Sequence, residues 1–359
     1  MTAALGADLR TDVLRRLLAA AGSPVPWDSL ARETGAAGHE GPLGRPSLAG
    51  RDRVGVALAG LSAAGDRLQI DPARGVALLE AADRTDRPDL LAFFPEGSWV
   101  REVRAARTVS STIDLAREGA LAGAPAGTAW VAEEQRAGRG RRQRAFWSPP
   151  GMGIWATVLV RPAPAGRGSA GGGAWLPLLA GLAVVEVLTE LGLPARSKWP
   201  NDVRVGGRKV CGAMAEAVHR GGAPVAASVS IGLNVHQGDG DFPAEAGVAT
   251  SLAGAFARAG RPPPAGALHR PRLLARLLSA FGEGLARFDA EGPSFPRRLW
   301  ERTSEELGQE VEHGTCEDRR RGRVVGLDDE ARLLVEDPEG GRRTLAADLL
   351  ERLGPVEGA

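Results

Sequence analysis

Tyrosine is absent from the 359 residues, and lysine and asparagine are nearly so. The only lysines are Lys198 and Lys209, and the only asparagines are Asn201 and Asn234. The only cysteines are Cys211 and Cys316. Two thiols exclude a disulfide scaffold and a zinc site built mainly on thiolates. The histidines, His39, His219, His236, His269 and His313, are scattered with no pair at a metal-ligand spacing, so no metal site is expected. No apolar run is long enough to span a bilayer, and the N-terminus lacks a basic-then-apolar signal segment. The expected location is therefore the reducing cytoplasm, with no membrane partner. Both lysines lack the upstream glycines of a G-x-x-x-x-G-K-[ST] loop, so any ATP is not held in a P-loop. Charge of one sign is also missing. Basic and acidic residues nearly cancel, 45 against 44, which argues against a mainly electrostatic polyanion binder but not against a local basic patch.

Because only two of the 45 basic residues are lysine, the other 43 are arginine. Against such a background, a surviving lysine marks a place where arginine would not serve. Lysine is a compact ammonium on a flexible stem, whereas arginine is a planar fork. Lys198, Asn201 and Lys209 fall in one short segment, which makes that segment the first functional suspect.

The length suggests two or three domains. Apolar positions at helical spacing predict helices over 8–21, 27–34 and 51–64, with a Gly/Pro-rich stretch from Gly35 to Gly50. Strands are predicted over 67–70 and 75–79. Three helices and a hairpin make residues 1–86 a candidate winged helix-turn-helix. Arg51 and Arg53 on its third helix are the candidate DNA contacts, although the segment holds ten arginines against eleven acids. The stretch 83–95 reads as a linker. Residues 87–304 mix strands (101–109, 127–133, 151–160, 227–235) with helices (112–121, 175–191, 268–288), around a low-complexity stretch from Pro162 to Gly173. From residue 305 to 359, short alternating segments predict a small β-barrel. The fold class expected is α+β.

Three segments carry chemistry. In Gln135–Gly153, five arginines (136, 139, 141, 142 and 144) crowd around Gly138 and Gly140. Small residues let backbone approach an anion, and arginine forks bind phosphate or carboxylate bidentately. In Ser197–Cys211, a Gly206-Gly207 turn joins two strands so that Asn201-Asp202 and Lys209 face one another. An aspartate fixing a lysine beside a negatively charged centre is a sensible catalytic pair. The third segment, Ile231–Asn234 with 249–252, ends a strand at Gly232 and Asn234, a frequent ligand position in α/β proteins.

Together these pieces resemble the biotin protein ligases, specifically the bifunctional bacterial type that doubles as the biotin operon repressor. The resemblance rests on Ser111-Thr112, Gln135, the run Gly138-Arg139-Gly140-Arg141-Arg142, Ser148-Pro149 with Gly151, and Lys198-Trp199-Pro200-Asn201-Asp202. It extends to Arg208-Lys209 with Gly212, Gly232-Leu233-Asn234-Val235, and Ala249-Thr250-Ser251-Leu252. It implies a ligase that uses biotin, ATP and Mg²⁺ and modifies a biotin carboxyl carrier protein, with operator DNA and a homodimer as further partners. Lys209, Arg139, Arg141 and Asp202 are the implied catalytic residues. Ser111, Thr112, Gln135, Arg139, Gly140, Arg141 and Lys209 would bind biotin. Gly138, Arg142, Lys198, Trp199, Asn201 and Asn234 would bind the nucleotide. Two positions depart from the family pattern: Ile113 stands where asparagine is usual, and Gln143 replaces a third glycine. A lipoate ligase and a biotin sensor without ligase activity are the alternatives.

Overall fold

The computed structural model describes residues 2–35, 48–161, 173–314, 319–347 and 352–355. Most of the Gly35–Gly50 and Pro162–Gly173 stretches, as well as His39 and Cys316, lie outside the described residues. Three helices open the chain, α1 (Thr2–Ala19), α2 (Trp27–Glu33) and α3 (Leu48–Ala63), followed by an antiparallel hairpin of β1 (Arg67–Asp71) and β2 (Gly75–Glu80). Helix α1 starts at Thr2 rather than Asp8, because the Ala/Leu-rich start continues the helix. Val13, Leu14 and Leu17 of α1 pack with Leu30, Val54, Leu58, Leu61 and Val76 in a core of their own.

The segment from Asp83 to Pro95 is anchored, not loose. Arg87 is fully buried, and its guanidinium binds Asp66 through both Nη atoms at 2.9 and 2.7 Å and Asp89 through Nε. Arg10 of α1 reaches the same Asp89 at 2.6 Å. Burial opposes the charge on Arg87, but the hydrogen bonds it donates to Asp89 and Asp66 outweigh it and raise its pKa. Composition cannot reveal this, because the segment's charges resemble those of a solvated linker until their partners 21 residues away are known.

Seven strands form the central sheet: β3 (Glu102–Val109), β4 (Thr128–Gln135), β5 (Gly153–Val160), β6 (Ala195–Lys198), β7 (Asp202–Val205), β8 (Arg208–Arg220) and β9 (Ala223–Asn234). Their order is β3-β4-β5-β9-β8-β7-β6, parallel only between β3 and β4. Alternate residues of β4 and β5 face opposite sides. Trp130 and Leu159 pack under α4 (Thr112–Leu121), while Val131 and Val158 belong to the main core with α5 (Trp175–Glu190) and α7 (Arg270–Glu291). Helix α5 is apolar all round and buried, as its sequence predicts. Two short helices not read from the sequence, α6 (Leu252–Arg258) and α8 (Ser294–Thr303), complete this part.

The C-terminal strands are β10 (Glu310–Gly314), β11 (Arg319–Leu327), β12 (Leu333–Glu336), β13 (Arg342–Leu345) and β14 (Arg352–Pro355). The small barrel expected here is, among the described residues, an open antiparallel sheet with β13 and β14 at its edges. Its apolar face is continuous with the main core through Val311, Val324, Leu333 and Val335. Two indoles pin it down: Trp175 Nε1 donates to the Asp329 carbonyl and Trp199 Nε1 to the Ala331 carbonyl, both at 2.8 Å.

Replacing Arg87 with methionine removes the cation from two buried carboxylates. The expected loss in urea unfolding is about 3–5 kcal/mol. A loss below about 1 kcal/mol would show that the cluster does not anchor the N-terminal helices.

Candidate functional site

A cavity of about 860 Å³ opens between the start of α4, the loop after β4, the β6–β8 hairpin region and the end of β9. Its cationic lining residues are Arg136, Arg139, Arg141, Arg142, Arg144, Lys198, Arg204 and Lys209, whereas its carboxylates are Asp202 and Glu245. Eight cations against two anions, in a chain of net charge +1, make a pocket suited to an anionic ligand.

A chain of uncharged polar groups forms one wall. Ser111 caps α4, its hydroxyl accepting the Ile113 N–H at 3.3 Å. The next residue, Thr112, donates its N–H to Gln135 Oε1 at 2.9 Å and pairs its hydroxyl with Thr157 at 2.8 Å. Gln135 Nε2 donates to Ser148 Oγ at 2.9 Å, and Thr157 meets the Ser230 hydroxyl at 2.9 Å. Thr112, Gln135, Ser148 and Ser230 line the cavity, but Ser111 does not; its role in the structure is that of a helix cap. Thr157 and Ser230 were not read from the sequence. They sit on strands distant along the chain, and only pairing of β5 with β9 makes them neighbours.

On the opposite side, the tight β7–β8 turn uses Gly206 and Gly207 at φ 57° and 73°. It sets Lys209 Nζ 2.6 Å from Asp202 Oδ1. The Lys209 backbone is also clamped, since its N–H donates to the Val248 carbonyl at 2.9 Å and its carbonyl accepts from Thr250 N–H at 2.8 Å. Phe146 lies 6.0 Å from Nζ, and its ring sits where a Cβ on Gly232 would come within 2.6 Å. Beneath this hairpin Cys211 is buried, and burial pushes its thiol up to about 12, so it is no nucleophile at neutral pH.

The arginine-rich loop is folded on itself. Gly140 N–H donates to the Arg144 carbonyl and Phe146 N–H to the Gly138 carbonyl, both at 2.8 Å. Gly138 has no room for a side chain, since a Cβ would lie 2.5 Å from the Phe146 carbonyl oxygen. Arg142 and Gln143 are both left-handed, at φ 55° and 57°, so Gln143 occupies a conformation that glycine would take at less cost. Arg139 makes a bidentate pair with Asp114 at 2.7 and 3.1 Å, and Arg141 donates to the Ala347 carbonyl at 2.6 Å. The hydrogen bond with Arg139 lowers the Asp114 pKa.

Of the remaining sequence-predicted residues, Lys198 lines the cavity, half-buried. Asn201 Nδ2 donates to the Ala213 carbonyl at 2.8 Å, and Asn234 Nδ2 to the Thr250 carbonyl at 3.0 Å. Trp199 also borders the cavity, but it is buried and its indole is committed to Ala331. Outside the lining of this pocket, Arg51 is exposed and paired with Asp28 at 2.6 Å, and Arg53 is exposed. Among the described residues there is no group of three or more His, Cys, Asp or Glu that could hold a metal, and no helix is long and apolar enough to cross a membrane.

Glu306 supports the site from behind. It is 5% exposed, its Oε2 accepts the Trp199 N–H at 3.3 Å and the Ser304 hydroxyl at 3.2 Å, and its Oε1 has no partner among the described residues. Burial raises its pKa to about 7, with Lys198 acting in the opposite direction. A carboxyl group whose folded pKa exceeds its unfolded value costs stability once ionised. That cost is absent below pH 4.5, grows as pH rises to about 7 and is then constant. Glu306→Gln should therefore gain about 1–3 kcal/mol over the parent in unfolding at pH 8 and nothing at pH 4. An equal difference at both pH values would contradict the assignment.

Comparison with known proteins agrees with this geometry. The family model described as biotin/lipoate A/B protein ligase matches residues 105–235. The bifunctional ligase/repressor BirA of Bacillus subtilis is 33% identical over 244 residues, covering 67% of this chain and 71% of that protein. The biotin–[acetyl-CoA-carboxylase] ligase of Paracoccus denitrificans is 32% identical over 248 residues, covering 68% of this chain and 98% of that one. The biotin protein ligase from Aquifex aeolicus, solved in complex with biotin and ATP, superposes with a TM-score of 0.57 at 28% identity, covering 71% of this chain and 100% of that chain. The chain belongs to the biotin protein ligase family.

Proposed function

We propose that this protein joins biotin to ATP, giving biotinyl-5′-AMP and pyrophosphate, and then passes the biotinyl group to one lysine of a biotin carboxyl carrier protein of acetyl-CoA carboxylase or a similar enzyme. The observation that carries this reading is the Lys209–Asp202 pair at 2.6 Å, inside a cavity with eight cations and two carboxylates. In the first step a biotin carboxylate oxygen attacks the α-phosphorus of ATP, and the bond to pyrophosphate breaks. Both reactants are anions. A point charge between them lowers the barrier only if it is already in place. Asp202 holds the Lys209 ammonium there, and the clamped Lys209 backbone fixes its origin.

Thr112 and Gln135 supply the polar wall for the ureido head of biotin, whose buried polar groups must be paired. Ser111 acts there through its helix cap. Arg139, Gly140 and Arg141 close over the adenylate and exclude water, which protects a reactive mixed anhydride. Gly138, Arg142, Lys198, Asn201 and Asn234 face the nucleotide, and Trp199 holds that wall in place. In the second step the carrier's lysine ε-amine attacks the acyl carbon, AMP leaves and the amine gives up a proton. Mg²⁺ enters as the companion of ATP. The pocket's own carboxylates are Asp202 and Glu245, and Asp202 is committed to Lys209, so the described residues of the pocket form no metal cage and the ion would be held chiefly by the ATP phosphates.

The test is incorporation of labelled biotin into a purified carrier domain with ATP and Mg²⁺. Lys209→Ala should lower the rate about 10²–10³-fold or more. A variant as active as the parent would remove Lys209 from the chemistry.

We further propose that residues 1–86 are a winged helix-turn-helix, 87–304 the catalytic domain and 305–359 a C-terminal domain built on the small antiparallel sheet, acting in the cytoplasm. With operator DNA, a homodimer would place Arg51 and Arg53 of each copy against phosphates. Arg51 must first leave Asp28. Operator affinity measured with biotin and ATP present should fall several-fold in Arg53→Ala. Unchanged affinity would take α3 out of the interface.

A further inference from the structure

We propose that Asp114 is a positioning residue that holds the arginine-rich loop shut over the adenylate by gripping Arg139. The proposal rests on the ligase reading above. Asp114 is outside the cavity lining, and it is joined to that lining through Arg139. Its carboxylate accepts from both Nη atoms of Arg139, at 2.7 and 3.1 Å. Such a fork-on-carboxylate pair restricts direction as well as distance.

The two ends of this contact differ in rigidity. Asp114 stands in the first turn of α4, immediately after the Ser111 cap and the buried Thr112 and Ile113. That helix is packed flat against Trp130, so that a Cβ on Gly119 would come within 2.1 Å of the indole. Asp114 is thus mounted on fixed ground. Arg139 belongs to a turn closed mainly on its own backbone, through the Gly140–Arg144 and Gly138–Phe146 hydrogen bonds and the Arg139–Ala145 bridge. Its charged tie to the helix layer is Asp114, while Arg141 reaches the Ala347 carbonyl on the other side. The turn also carries two left-handed residues other than glycine, Arg142 and Gln143, a conformation that needs outside support to persist. Through Arg139, Asp114 ties this turn to the helix from outside the cavity lining, and the first turn of α4 therefore serves twice: Thr112 forms part of the pocket wall and Asp114 secures its cover.

Two outcomes are expected in the full-length protein. In the ligand-free state, amide hydrogen exchange across residues 138–146 should be about tenfold faster in Asp114→Ala than in the parent. With adenylate formed from biotin and α-labelled ATP, and excess ligand removed, release of label should also be about tenfold faster. Asp114→Glu should restore much of both. Combining Asp114→Ala with Arg139→Ala should release label no faster than Arg139→Ala alone, because one contact is lost in either case. A weakened helix start would not give that non-additivity, and Asp114→Asn, which keeps a polar group in the first turn, separates the two effects if Asp114→Ala folds poorly. Unchanged exchange in both Asp114→Ala and Asp114→Asn, or effects of Asp114 and Arg139 that multiply, would overturn the proposal. Since exchange is read without ligand, its failure is distinct from failure of the parent protein to form an adenylate, which would instead remove the ligase reading.

Discussion

Two anions must be brought to one point before the proposed chemistry can begin, and the Lys209 ammonium is placed to allow it. Lys209 owes its position to a sequence of constraints. Two left-handed glycines turn β7 into β8, Asp202 holds Nζ at 2.6 Å, and the 248–250 segment pairs with the Lys209 backbone on its other side. An arginine fork at the same point would spread its charge over a plane and need more room. The surrounding cationic loop then covers the site. Charge, closure and the polar wall are separate devices built on three different parts of the chain, and all face the same cavity.

The parts of the molecule are not independent of that cavity. Trp199 follows Lys198 in the pocket wall, yet its indole is held by Ala331 in the β11–β12 turn and its backbone by Glu306 just before β10. Arg141 reaches the Ala347 carbonyl just after β13. On the other flank, Asp83 in the segment after the N-terminal hairpin meets His236 at 2.7 Å and Arg270, while Arg270 also binds Glu133 at the end of β4. His236 is two residues beyond Asn234, which borders the cavity. Both flanking modules therefore attach next to the proposed nucleotide wall, the layout needed if its occupancy is to be felt elsewhere.

Much of this was legible in local sequence. The scarcity of lysine and asparagine pointed to the hairpin, and the turn glycines predicted that Asp202 and Lys209 would face one another. Helices α4 and α5 followed from periodicity. What escaped depends on contacts distant along the chain. Asp114 resembles any charge on a helix's first turn until Arg139 folds back on it. Thr157 and Ser230 are ordinary strand hydroxyls until β5 pairs with β9. Arg87 and Glu306 resemble surface charges, and nothing nearby in sequence tells of their burial. Ser111 and Trp199 are ligand contacts by their place in the motif, and only the fold shows that Ser111 also caps α4 and that Trp199, at the cavity's border, also ties its indole to Ala331. The family motif marks such residues, but it does not separate those that touch a ligand from those that hold the wall.

The most direct test is exchange of labelled pyrophosphate into ATP by the purified protein, because it isolates the first step and needs no carrier. Exchange should depend on biotin, gain no support from lipoate and fall about 10²–10³-fold or more in Lys209→Ala. No exchange with biotin, or exchange supported by lipoate instead, would contradict the biotin ligase reading.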